Sequence, residues 1–185
     1  MDSSPFTNPS DAAAEEAGAY IEAVLALVGD RDPLEILAEL PSSLAELTDG
    51  IGETELGHPE ADGKWSMIEI LAHLADSELV WAWRLRLVLA EADPVLTGYD
   101  QDRWASYLHY RDRDLEEVLK EIRFLRVRNL RLLGSLTSDE FERSGRHSER
   151  GVESVSHMVR LYAGHDLVHR RQLKRVRLVV SGRGT

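Results

Sequence analysis

The chain has 185 residues, enough for one domain that buries its own core without covalent staples. It contains no cysteine, which excludes disulfides, thiolate metal ligands and a cysteine nucleophile, so any metal must rest on His, Asp or Glu. Its formal net charge of -11 argues against nucleic acid as a partner, because such a surface repels phosphate backbones.

The N-terminal stretch MDSSPFTNPSD is polar and carries two prolines, so residues 1–10 are expected to be a flexible tail. It has no basic region followed by an apolar core, and no later apolar stretch reaches the roughly 18 residues of a membrane span. A cytoplasmic protein without a membrane segment is expected. Helical spacing begins at Asp11 and runs through Tyr20, Ile21, Val24, Leu25 and Val28, an extra N-terminal helix over residues 11–30. Asp32, Pro33 and Glu35 then form a helix start. That helix meets Pro41, which should kink or restart it before Gly50 and Gly52.

Residues 53–64 read as loop. Ser66 and Glu69 form a capping box, and Trp65 with Ile70 a hydrophobic staple, for a helix reaching about Ala92. A long connection follows, containing YDQDRW, with a helical piece around Trp104 to Tyr110. Asp114 and Glu117 start the next helix, which ends near Leu133. Thr137 and Glu140 mark a short turn of helix. The last helix spans about Val152 to Val180, and the arginines of HRRQLKRVR near its end complement the helix dipole. No alternating run bounded by hairpin dipeptides occurs, so no strand is expected. The fold class is all-α: a four-helix bundle over residues 31–185 with the additional N-terminal helix.

The run HDLVHRRQ places His165 and His169 four residues apart, on one face of the last helix. Met158, Leu161, Tyr162, Leu173 and Val176 lie on the same or adjoining rows, so that face points inward. His73 sits mid-helix in the row Ile70, His73, Ser77, Val80, which also faces inward. Bundle sites are built from facing helices, and three histidines would give neutral nitrogen ligands with an open fourth position. The competing reading is three core histidines bonded to backbone, water or carboxylates. His58 and His147 are expected to be solvated, His157 to flank the site at about 80° round the helix, and His109 to be a candidate pocket residue.

G-K-W-S-M-I-E-I-L-A-H-L-A-D-S-E, the Y-D-Q-D-R-W stretch and H-D-L-V-H-R-R-Q-L resemble, in order, the elements of the DinB-like (YfiT-like) metalloenzyme superfamily. The resemblance covers about residues 33–178. It implies a four-helix bundle of up-down-down-up character, often a homodimer, with zinc or nickel on His73, His165 and His169. It also implies thiol-dependent chemistry, as in bacillithiol or mycothiol S-transferases and a mycothiol-dependent maleylpyruvate isomerase.

The leading expectation is therefore a metal-dependent enzyme in which a low-molecular-weight thiol, bound as thiolate in the open position, attacks a small-molecule electrophile. Arg84, on the row of Val80, is placed to hold an anion or to form a salt bridge. Tyr99, Asp100, Trp104 and Tyr162 are the other pocket candidates, each of which can equally pack or cap. The alternatives are a metal-assisted hydrolase, for which Asp76 and Glu78 make poor bases, and a metal-stabilised binding or stress protein without turnover.

Overall fold

The computed structural model describes residues 14–182. The expected tail and the helix start at Asp11 lie outside the described residues. The long helices are α1 (Ala14–Val28), α2 (Pro33–Thr48), α4 (Met67–Ala90), α6 (Leu115–Leu133) and α8 (Val155–Ser181), with short helices α3 (Glu53–Leu56), α5 (Gln101–Tyr107) and α7 (Ser138–Phe141). A 3₁₀ turn, Tyr110–Asp112, precedes α6. The bundle is closed by α2 and α4, each packed against both α6 and α8, while α1 lies against α8.

The helix starts follow local chemistry. Glu69 accepts hydrogen bonds from the Ser66 amide at 2.9 Å and from its hydroxyl at 2.6 Å, which fixes the first turn of α4. Asp114 accepts from the Glu117 amide at 2.9 Å at the start of α6. The core has two clusters along the bundle axis. One is built on Leu40, Leu44, Met67, Leu74 and Leu173, the other on Ile36, Trp81, Leu85, Val155 and Met158. A fully buried side chain of this size contributes about 1.5–3 kcal/mol, so these clusters are what holds the helices together.

Pro41 neither stops nor restarts α2, which runs unbroken through it. The lost backbone bond is replaced from outside. Pro41 has no N–H to give the carbonyl of Leu37, and that carbonyl accepts instead from Arg126 Nη1 at 2.7 Å. Arg126 is 1% exposed and also pairs with Glu78 of α4 at 2.7 Å and with Asp166 of α8 at 2.6 Å. Asn129 donates to the other Glu78 oxygen at 2.7 Å. Burial opposes the Arg126 charge, but Asp166 and Glu78 outweigh it and hold the guanidinium firmly protonated. Burial pushes Asp166 up to about 6, against the pull of Arg126.

The expectation of no strands is corrected. Three short strands, β1 (Val95–Leu96), β2 (Ser144–His147) and β3 (Gly151–Ser154), form a sheet in that order, β1 parallel and β2–β3 antiparallel. The strands are two to four residues long, and β2 and β3 carry a single apolar side chain, Val152, between them, so periodicity had nothing to register. Ser148, Glu149 and Arg150 make the hairpin loop, and Gly151 follows with φ +80°, the left-handed position that a three-residue loop needs. The hairpin also delays the start of α8 to Val155. Among the described residues, no helix is long and apolar enough to cross a membrane.

Candidate functional site

α4 and α8 bring His73, His165 and His169 together. One ring nitrogen of each lies within 4.8 Å of the others. His73 Nε2 and His165 Nε2 are 3.2 Å apart although 92 residues separate them in the chain. Metal–nitrogen bonds of ~2.0–2.1 Å in a tetrahedron give a nitrogen–nitrogen edge of ~3.3 Å, so the observed spacing suits a shared ion. Gln172 Oε1 lies 2.8 Å from His169 Nδ1, which fixes that ring and leaves its Nε2 for the cluster.

All three rings are held neutral. Burial first, then His169, lowers His73 well below the usual imidazole value. Burial, His169 and His73 do the same to His165. Burial brings His169 down to about 4, against the opposing bond to Gln172. Three neutral imidazoles converging in a site where a proton is disfavoured fit a divalent cation, whose ligands must be deprotonated. The Nδ1 atoms of His73 and His165 have no hydrogen-bond partner among the described residues.

Two of the three histidines open onto a cavity. His73 and His165 line it, together with Ser77, Trp81, Arg84 and Tyr99. The free space is about 740 Å³ when the open solvent at its mouth is included. Tyr162 also lines it, stacked between Trp81 at 4.5 Å and His165 at 5.5 Å, with Arg126 5.2 Å over its ring. Ser77 Oγ lies 3.3 Å from His73 Nε2 and 3.0 Å from Tyr99 Oη, a hydroxyl chain leading from the histidines into the cavity. Burial raises the Tyr99 phenol, so it stays protonated.

Other sequence candidates fall differently. Trp104 packs against Tyr99 at 4.3 Å and is not among the cavity-lining residues. Asp100 caps α5, accepting from the Arg103 amide at 2.8 Å. His109 is exposed with φ 52° and is no pocket residue. His147, expected to be solvated, is 2% exposed in β2, where burial lowers it to about 4. Arg84 makes no salt bridge with a described residue.

Three contributors escaped sequence reading. The β2–β3 hairpin puts Arg150, in its loop, and Glu153, in β3, in the cavity wall. The Glu78–Arg126–Asp166 network ties α4 and α8 together beside the histidines they carry. The N-terminal helix supplies Tyr20 to the wall. Gly164, immediately before His165, lets α1 come that close: a Cβ there would stand 2.4 Å from Val24 Cγ1 and 2.5 Å from the Val24 carbonyl oxygen.

Comparison with known proteins adds an independent line. The DinB superfamily model matches residues 36–173. A protein of Oceanobacillus iheyensis is 30% identical over 133 residues, 72% of this chain and 77% of its own, and one of Halalkalibacterium halodurans is 28% identical over the same shares. Both carry the name "Putative metal-dependent hydrolase". The solved structure of YfiT from Bacillus subtilis superposes with a TM-score of 0.74 at 26% identity, covering 78% of this chain and 83% of that one. It is described as "a probable metal-dependent hydrolase with an unusual four-helix bundle topology".

Proposed function

We propose, from the premise that this chain belongs to the DinB superfamily, that it is a metal-dependent enzyme acting on a small molecule. His73, His165 and His169 hold one divalent ion, zinc or nickel, both of which suit imidazole. The reaction is transfer of a low-molecular-weight thiol, of the bacillithiol or mycothiol kind, to an electrophilic carbon.

The observation that carries this reading is the convergence of three neutral ring nitrogens, two of them on residues that line an open cavity. A divalent metal there supplies a Lewis acid that lowers the pKa of a coordinated thiol or water. The protein's own residues do the rest. Trp81 and Tyr162 present apolar faces that exclude water from the reacting groups. Tyr99, still protonated, shares a hydrogen bond with Ser77 near the cluster and is no base. The carboxylates closest in sequence to the ligands are engaged: Glu69 accepts from Ser66, Asp76 from Tyr110 at 2.6 Å, Glu78 from Arg126 and Asn129, and Asp166 from Arg126. A free thiol, with a pKa of about 8.5 against about 15.7 for water, asks less of a base than water does, and this favours thiol transfer. The sulfur forms the new bond to carbon, the leaving group departs with the old bonding pair, and the thiol proton goes to solvent.

Hydrolysis is the second reading, supported by the names of the relatives. The two separate on zinc- and nickel-loaded protein given bacillithiol with a chloro-dinitrobenzene electrophile, and separately given a nitrophenyl ester. Thiol conjugation lost in His165→Ala supports transfer. Ester cleavage without conjugation supports hydrolysis. Protein that takes up no metal overturns both.

A further inference from the structure

We propose that the cavity beside the histidine cluster is built for a substrate with a single carboxylate, which binds Arg84 while the reacting group lies at the histidines. The inference rests on the metal-centre reading for the second half of that statement only.

Arg84 lies three turns beyond His73 on α4, ~16 Å along the axis and only ~20° round it. Both side chains therefore belong to one stripe, and both line the cavity. Arg84 Nη2 donates to the Thr97 carbonyl, but Nε is buried and has no hydrogen-bond partner among the described residues. Among the described residues no carboxylate lies within ion-pair distance of it. A half-buried guanidinium with an idle donor is costly unless something fills the place. Burial, and then the like charge of Arg150, both disfavour the charged form.

The other guanidinium in the wall is already paired. Arg150 grips Glu153 through two bonds, Nε–Oε1 at 2.6 Å and Nη2–Oε2 at 3.0 Å, with Glu153 only 1% exposed. Glu149 is exposed, its carboxylate resting against Gly98, where solvent screens it. Arg84 is thus the wall guanidinium without an ion-pair partner among the described residues, and a single carboxylate pairs with it, whereas a dianionic phosphate would also meet the repulsion of Glu149 and Glu153. A carboxylate also matches the guanidinium edge.

The test uses full-length protein loaded with nickel and a set of ω-carboxyalkyl hydroxamates of two to six methylenes, each beside its methyl ester. The hydroxamate end is a metal chelator and so is indifferent to the reaction catalysed. Calorimetry should show one chain length at which the carboxylate binds at least tenfold tighter than its ester. Arg84→Gln should abolish that preference and leave acetohydroxamate affinity unchanged. Equal affinity of acid and ester at every length, or a preference that survives in Arg84→Gln, overturns the carboxylate site and leaves the metal centre standing. A phosphonate tail that binds tighter than the carboxylate overturns the single-charge assignment. Protein that takes up no nickel overturns the metal centre instead. The carboxylate site is then decided on metal-free protein: acetate in the millimolar range should shift the Arg84 Nε–H resonance, and an unmoved resonance overturns it. The ester comparison needs no variant, so it stands even if Arg84→Gln folds poorly.

Discussion

Arg126 donates to the carbonyl of Leu37 at 2.7 Å, the carbonyl that Pro41 leaves without its helical donor. A local defect in α2 is thus repaired by a side chain 89 residues away, which also balances Glu78 and Asp166. The repair predicts a coupling. Arg126→Met strands two buried carboxylates and a carbonyl, and should cost about 3–5 kcal/mol in urea unfolding. Pro41→Ala restores an N–H for Leu37. In that background Arg126→Met should cost about 1 kcal/mol less, the worth of one hydrogen bond. Equal costs in the two backgrounds would show that the Leu37 bond contributes nothing.

Gly164 predicts how α1 is held. Gly164→Ala drives a methyl into the Val24 backbone, which cannot yield as a flexible side-chain tip does. The expected cost is about 1–3 kcal/mol, as for overpacking elsewhere. Proteolysis between residues 14 and 28 should accelerate while metal content stays unchanged, because the histidines are carried by α4 and α8. Loss of metal along with α1 would instead mean that the N-terminal helix supports the ligands directly.

Replacing His73, His165 or His169 singly by Ala should each remove the metal, measured by elemental analysis of tag-free protein against about one divalent ion per wild-type chain. Adding EDTA to wild type should lower its melting temperature towards that of the variants. A variant that keeps stoichiometric metal would remove that histidine from the ligand set.

The buried imidazoles fix the sign of the acid response. His169 titrates at about 4 in the fold against 6.5 for the free side chain, and His73 and His165 are shifted the same way. Between those values the unfolded chain binds protons that the fold refuses, so stability is present above pH 6.5 and is lost as pH falls towards 4. Metal should leave over the same window, since protons compete for the same nitrogens. His147, at about 4, adds to the trend. Asp166, raised to about 6, opposes it, because its ionisation in the fold is disfavoured. Metal-free His169→Gln should lose less stability than wild type between pH 6.5 and 4 in urea titrations. An identical loss would show that His169 does not contribute.

What could be read from the sequence was what one helix turn encodes. Ser66 and Glu69 are three residues apart, and helix geometry alone makes them meet. His165 and His169 share a face for the same reason, and the inward rows of α4 and α8 carried the histidine cluster and the bundle. The tertiary structure decided what depends on chain segments that no local spacing relates. It set His73 against His165 across 92 residues, joined Glu78 to Arg126 across 48 and Arg126 to Asp166 across 40. It also paired strands too short to leave a pattern, buried His147 in their sheet, and brought Tyr20 into the cavity wall. Periodicity tells which face of an element seeks cover, but packing alone decides which partner provides it, because burial is rewarded without regard to distance along the chain.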